Sequence, residues 1–332
     1  MSDLALAAFA ADTGGHVVAE PRERRFRRFL RSFDTEAYRA ELTSRNLRFL
    51  GRSEPGYPPL LRELHDPPPG LFLRGHGEVE LLHRRAVVAI VGARACSSYG
   101  SQVARILARE LASAGVVVVS GLARGVDGEA HRGALEAVGV TVAVLGCGVD
   151  RDYPAAHTQL ANRVCERGLV VSEYAPGVEP APWRFPARNR VIAGLCAATV
   201  VVEARERSGA LMTADFALEA GREVFAVPGE ITSALSAGTN ALLRLGATPL
   251  TAAPDVLEAL GLEAPAARTP KVGEEAAQVL EVLEGGAAGA DDLVRRTGLG
   301  AATVATALAE LELAGAVAEA EGVYRGVPVP GR

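Results

Sequence analysis

Between residues 86 and 228, short and nearly unbroken apolar runs alternate with longer stretches in which apolar side chains recur every three or four positions. The runs are A-V-V-A-I-V-G at 86–92, V-V-V-V-S at 116–120, T-V-A-V-L-G at 141–146, L-V-V-S-E at 169–173, T-V-V-V-E at 199–203 and E-V-F-A-V-P at 223–228. Runs this short, rich in valine and lacking polar alternation, are expected of strands covered on both faces. The intervening stretches, such as the one carrying Val103, Ile106, Leu107 and Leu111 or the one carrying Leu211, Phe216 and Leu218, have helical spacing. Strand, helix and strand in repetition predict an α/β fold built on a doubly wound, mostly parallel sheet.

The flanks have other patterns. R-E-R-R-F-R-R-F-L-R at 22–31 carries a net charge of +5 and places Phe26, Phe29 and Leu30 at helical spacing, which predicts an amphipathic basic helix in a small helical N-terminal region. Its bland role is a solvated surface helix, and an auxiliary nucleic-acid contact is the other reading. The proline-dense segment at 57–75 ends in Leu71 to Leu73 and is expected to be a connector with an edge strand. After residue 272, helices near 273–284, 290–297 and 301–313 followed by strands at 316–319 and 323–324, with Gly322 at the turn, predict a winged helix. The expected domains are therefore 1–80, 81–262, a linker at 263–271, and 272–332.

At 332 residues, 48% hydrophobic and 23% charged, the composition is that of a folded chain of two or three domains. Neither a cleavable leader nor a membrane span is expected, because no long uninterrupted apolar run occurs and no basic residue precedes the apolar start. Cys96, Cys147, Cys165 and Cys196 form no C-x-x-C pair, so they are expected to be reduced, with no metal site and no disulfide frame, in a cytoplasmic protein. The net charge of −5 hides an asymmetry: from 272 onward Arg295, Arg296, Arg325 and Arg332 face ten acidic residues, a net −6, leaving +1 on the preceding 271 residues. Lys271 is the sole lysine, so arginine supplies nearly all the positive charge.

A parallel sheet brings the carboxyl ends of its strands to one edge, and the segments that follow them carry the candidate chemistry. They are G-A-R-A-C-S-S-Y-G, S-G-L-A-R-G-V-D, G-C-G-V-D-R-D-Y-P, E-Y-A-P-G leading to P-W-R-F-P-A-R-N-R-V-I-A-G, E-A-R-E-R-S-G-A and P-G-E-I-T-S-A-L-S-A-G-T-N. Each is rich in glycine, small hydroxyls or arginine, a chemistry that turns backbone N–H groups and helix N-termini toward an anion. In the fourth segment, Arg188 and Arg190 are the phosphate candidates, Phe185 the base-stacking candidate, and Trp183 is expected to pack this loop against the sheet. Neither G-x-x-x-x-G-K-[ST] nor G-x-G-x-x-G is present, so no standard nucleotide fingerprint explains the rim. Asp127 and His131 stand four apart, which is acid/base spacing, but a histidine bonded within the domain is the expected role. Glu173 and Glu203 are expected to anchor neighbouring loops through arginines.

Taken in order from Tyr57 to Ala247, these segments, together with D-G-E-A-H-R-G-A-L and V-V-E-A-R-E-R-S-G-A-L-M-T-A, resemble the DNA-processing protein A (DprA, or Smf) family. The resemblance implies an extended Rossmann-like domain that binds single-stranded DNA and delivers it to a RecA-type recombinase in the presence of single-strand-binding protein during natural transformation. It also implies homodimerisation through the end of that domain and no catalytic residues or cofactors. Carried onto this chain, the DNA-facing set is Arg94, Ser97, Ser120, Gly121, Arg124, Gly125, Phe185, Arg188, Asn189, Arg190, Ser208 and Gly209. Two departures are visible: His157 stands where the family commonly has asparagine, and the N-terminal region lacks a helix-hairpin-helix G-I-G turn. The competing class is a nucleotide-hydrolysing enzyme resembling the lysine-decarboxylase-like phosphoribohydrolases. Their P-G-G-x-G-T-x-x-E is absent, since P-G-E-I-T-S-A-L-S-A-G-T-N lacks the paired glycines and the glutamate. The third helix of the winged-helix region has no basic residue, which points it toward protein contact or regulation rather than duplex DNA.

Overall fold

A computed structural model describes residues 3–13, 20–84, 86–262, 272–320 and 322–326. The chain divides into two compact units, Met1–Glu263 and Ala264–Arg332. The segment expected to link them, 263–271, lies outside the described residues.

The first unit opens with three helices, α1 (Asp3–Thr13), α2 (Glu20–Ser32) and α3 (Thr35–Ser44). They lead through β1 (Leu47–Gly51) and the single turn α4 (Pro59–Arg62) to β2 (Gly70–Arg74). Strand and helix then alternate: β3 (Val87–Val91), α5 (Ser98–Ser113), β4 (Val117–Ser120), α6 (Val126–Glu136), β5 (Thr141–Val144), α7 (Thr158–Arg167), β6 (Leu169–Ser172), α8 (Arg184–Leu195), β7 (Ala198–Val201), α9 (Gly209–Glu219), β8 (Glu223–Ala226), α10 (Ala237–Arg244), β9 (Thr248–Pro249) and α11 (Ala253–Ala259). The strands form one sheet in the order β1-β2-β6-β5-β4-β3-β7-β8-β9. Pairing is parallel from β6 to β9, whereas β1–β2 and β2–β6 are antiparallel.

The period-two geometry of a strand explains the unbroken apolar runs. Val87, Ala89 and Val91 face one buried cluster while Val88 and Ile90 face another, so both sides of β3 need apolar residues. Each valine or isoleucine side chain so removed from water contributes about 1.5–3 kcal/mol. A third cluster, formed by Leu4, Leu42, Phe49, Phe72, Leu145 and Val164 among others, carries the N-terminal helices on the β1 end of the sheet.

Three outcomes differ from the sequence expectations. Leu71 to Leu73 do not form an edge: β2 lies between β1 and β6, and β1 is the outer strand. A short further strand, β9, extends the opposite side. The stretch P-W-R-F-P-A-R-N-R-V-I-A-G is not a proline-broken loop but mostly helix α8. Pro186 falls in its first turn, where no intrahelical donor is needed.

The second unit has its own core, including Val279, Leu283, Leu293, Val304, Leu308 and Leu311. Its elements are α12 (Glu274–Glu284), β10 (Ala288–Gly289), α13 (Ala290–Thr297), α14 (Ala301–Leu313), β11 (Val317–Ala320) and β12 (Val323–Gly326), with strand order β10-β12-β11. This is the three-helix, small-sheet arrangement of a winged helix.

Candidate nucleic-acid interface

The strand order reverses direction at β3 and β7, which are sequence-distant neighbours in the centre of the sheet. In open α/β sheets a crevice opens beyond the carboxyl ends at such a switch point. A cleft of about 200 Å³ lies there, lined by Gly92 and Arg94 after β3, Ala123 and Asp127 after β4, Phe185, Arg188 and Asn189 of α8, and Ser208 and Gly209 at the start of α9.

The walls are tied together across the sheet. Ser97 caps α5, its hydroxyl accepting from the Gly100 N–H at 3.0 Å and donating to Glu203, while its own N–H donates to Glu203 at 2.9 Å. Glu203 therefore anchors a loop as expected, but through a serine and a backbone N–H, not through an arginine. Ser208 caps α9, accepting from the Ala210 N–H at 3.3 Å, and the Asn189 amide donates to the Gly209 carbonyl at 2.9 Å. Gly125 opens α6 at φ +72°, where an added Cβ would stand 2.2 Å from the Ala93 carbonyl oxygen. Only glycine lets the second turn close on the first.

The predicted DNA-facing residues fall into two groups. Arg94 and Arg124 are exposed, as is Gly209, and Ser97, Phe185 and Ser208 are partly so. Arg94 holds its guanidinium 5.3 Å from the centre of the Phe185 ring, a cation–π contact. Ser120, by contrast, is wholly buried and donates to the Ile90 carbonyl at 2.6 Å. Arg188 is only 4% exposed: it donates to the carbonyls of Gly121, at 2.9 Å, and Val144, and to Asn189 Oδ1 at 3.3 Å. Arg190 is paired with Glu173 at 2.6 Å and stands 3.8 Å from Asp66. These two arginines brace the cleft from below, instead of standing free at its mouth.

Asp127 lies in the same floor and accepts from the N–H groups of Gly121 and Ala123 at 3.2 and 3.3 Å. Burial pushes its carboxyl up, against the pull of the Arg188 charge and of those donors; burial also pushes the Arg188 guanidinium down, opposed by Asp127. Leu122, between the two donors, is held at φ +58°, a conformation unfavourable for a side-chain-bearing residue. His157 secures it by donating from Nδ1 to the Leu122 carbonyl at 2.9 Å, which gives this departure from the family pattern a definite structural role.

Sequence reading missed Tyr153. Its ring stacks on Phe185 with centroids 5.1 Å apart and planes at 27°, and it is 42% exposed. The only signal was its position at the end of the third rim segment. Arg205 and Arg207, exposed in the loop after β7, were likewise not singled out. Trp183 does not pack against the sheet: it is 52% exposed, with the Arg184 guanidinium 4.9 Å from its ring centre. Among the described residues no group of three or more histidine, cysteine or acidic side chains is placed to hold a metal ion, and no helix is long and apolar enough to cross a membrane.

Comparison with known proteins agrees with this geometry. Residues 48–261 match the DNA recombination-mediator protein A family, and residues 262–322 match the DprA winged helix domain. Protein Smf of Escherichia coli K12 is 42% identical over 280 residues, covering 81% of this chain and 74% of Smf. The structure of DNA processing protein A from Streptococcus pneumoniae superposes with a TM-score of 0.64 at 40% identity, covering 72% of this chain and 81% of that one. That of the Helicobacter pylori protein, described for its single-stranded DNA binding mode, gives a TM-score of 0.58 at 32% identity, with 64% and 95% covered. With its Rossmann-type cleft and its winged helix both matched, the chain belongs to the DNA recombination-mediator protein A (DprA) family.

Proposed function

We propose that this protein binds single-stranded DNA across the switch-point cleft and holds it for a RecA-type recombinase during natural transformation. The observation that carries this reading is the juxtaposition of exposed guanidinium groups with aromatic rings at one edge of the sheet: Arg94 on Phe185, Phe185 on Tyr153, with Arg124, Arg205 and Arg207 on neighbouring turns. Arginines neutralise phosphates, and ring faces take up unstacked bases, which a duplex does not offer. The single-strand binding of the H. pylori relative supports the same reading. In it, Arg94 and Arg124 contact phosphate, the start of α9 at Ser208 and Gly209 offers backbone to the strand, Ser97 holds the start of α5 in place through Glu203, and the ring pair receives a base. Arg188, Asn189, Arg190, Ser120, Gly121 and Gly125 keep the turns in place.

The working form is a cytoplasmic homodimer that cooperates with single-strand-binding protein, without cofactor or catalysis. Exposed apolar side chains at the end of the first unit, Ile231 at 97% and Leu245 at 85%, support an interface there. Within the unit, 81–262 is the DNA-binding domain and 1–80 its N-terminal extension. The acidic winged helix serves protein contact or regulation. A hydrolase reading has less support, because the carboxylates beside the cleft, Asp127 and Glu203, are engaged by the protein's own N–H and hydroxyl donors.

The test is equilibrium binding of oligo-dT and of duplex of equal length across a salt series. Single strand is expected to bind tighter, and Arg94→Ala and Arg124→Ala each to make the salt slope shallower by about 0.7, one phosphate contact. Equal affinity for duplex, or wild-type slopes in both variants, would refute the proposal.

A further inference from the structure

Helix α2 carries charge that the cleft does not use. The two phenylalanines of its apolar face are already spent, while Leu30 beside them is 39% exposed: Phe26 is buried, and Phe26 and Phe29 lie 5.2 and 5.4 Å from Phe9 of α1, centroid to centroid. Arg24, Arg28 and Arg31 recur at helical spacing on the opposite side, flanked by Arg25 and Arg27, and all five are exposed. Arg27 pairs with Glu23 at 2.5 Å. Arg25, Arg28 and Arg31 make no ion pair among the described residues. Like charges three and four residues apart on a helix repel one another, and a polyanion laid along them relieves that repulsion.

The helix is also tethered to the cleft. Phe33, just beyond α2, stacks on Phe29 at 4.9 Å and meets Tyr38 of α3 at 5.3 Å. Arg45, at the end of α3, is paired with Asp150 at 2.5 Å. Asp150 belongs to the loop after β5 that also carries Tyr153, the ring stacked on Phe185. The acidic groups of this loop do not repel a passing strand on their own, because Asp152 is paired as well, with Arg74 at 2.6 Å. We infer that α2 is a second contact for the phosphodiester backbone, engaged by the part of a single strand that leaves the cleft past Tyr153. An anionic membrane is the poorer occupant, since Phe26 and Phe29 pack on Phe9 of α1 and leave Leu30 alone to enter a bilayer. The inference rests on the reading of the cleft as a single-strand site.

The experiment compares dT6, long enough for the cleft alone, with dT30, using the full chain. In the Arg25→Gln, Arg28→Gln, Arg31→Gln triple variant, dT6 should bind as in wild type. For dT30 the affinity should fall at least tenfold in low salt and the salt slope drop by about 2, three single-strand contacts at about 0.7 each. The matching triple lysine variant should keep the wild-type slope, because the slope counts charges. A glutamine variant that binds dT30 with wild-type affinity and slope overturns the inference. So does a lysine variant that loses the slope equally, or a glutamine variant that keeps dT30 but loses binding to phosphatidylglycerol vesicles. Arg94→Ala separates the two sites: wild-type binding of dT6 by that variant counts against the cleft, while the glutamine triple's effect on dT30 reports α2.

Discussion

Tyr153, Phe185 and Arg94 make a short stack in which one aromatic face is covered by a ring and a guanidinium lies within cation–π range. A base entering it either extends the stack beyond Tyr153 or displaces one member. Tyr153 is the outer, more exposed ring, so it offers the available face. Tyr153→Ala is expected to weaken oligo-dT binding by about 1–3 kcal/mol, the worth of one base–aromatic contact, while Tyr153→Phe keeps it. Fluorescence titration with both variants checks this, and equal affinities for the two would remove Tyr153 from the interface. The same residues show what a sequence conceals. That arginines crowd the rim was legible; which of them are spent was not. Arg188 meets carbonyls of Gly121 and Val144 from two other strands' ends, and Arg190 meets Glu173 from a third, so their commitments depend on contacts far along the chain.

Among the elements, the parallel strands β3 to β8 were plain in the sequence because burial on both faces demands unbroken apolar runs, which the short, exposed β9 lacks. β2 was legible as a strand but not as an inner one, and β1, L-R-F-L-G, was not legible at all, because its strand character depends on antiparallel pairing with β2, which in turn pairs onto β6. Helix α8 was obscured by Pro182 just ahead of it and Pro186 within it, although Pro186 needs no partner in a first turn. The junction of α6 with β4 and β5 carries a titration signature. His131 on α6 is fully buried, and its Nδ1 lies 2.7 Å from Thr141 Oγ1 of β5. The threonine hydroxyl donates to the Val118 carbonyl of β4 at 2.7 Å, so it accepts from His131, whose proton is on Nδ1. Nε2 has no hydrogen-bond partner. Burial first, then the charges of His157, Arg132 and Arg188, hold the imidazole's pKa down at about 3. An unfolded histidine titrates near pH 6.5, so below that pH the unfolded chain takes a proton that the fold refuses. Stability is full above pH 6.5 and drains away as the pH falls toward 3. Between pH 7 and pH 5 this single group removes about 2 kcal/mol. Urea denaturation of His131→Met should show a loss over that interval smaller by about that amount, and an unchanged loss would contradict the neutral buried imidazole.

At the scale of the whole molecule, charge is divided between the two units. The chain's net charge is −5, yet residues 272–332 alone carry −6, so the part that holds the cleft is slightly positive. The winged helix was legible from its helix spacing and Gly322 turn, and its acidity from composition alone. What neither could give is a nucleic-acid surface: α14, the helix that enters the major groove in DNA-binding winged helices, has no basic residue and carries Glu310 and Glu312. Each unit closes its own apolar core, that of the first within residues 4–257 and that of the second within 276–317. Removal of 272–332 is therefore expected to leave the first unit folded, with a net charge of +1 in place of −5. Long-range repulsion of phosphates falls accordingly, more at low salt than at high salt. Oligo-dT affinity of the truncated protein should equal or exceed that of the full chain, with the gain shrinking as salt rises. A large loss of affinity, with the thermal transition of the first unit intact, would mean instead that the acidic unit supplies part of the DNA-binding surface.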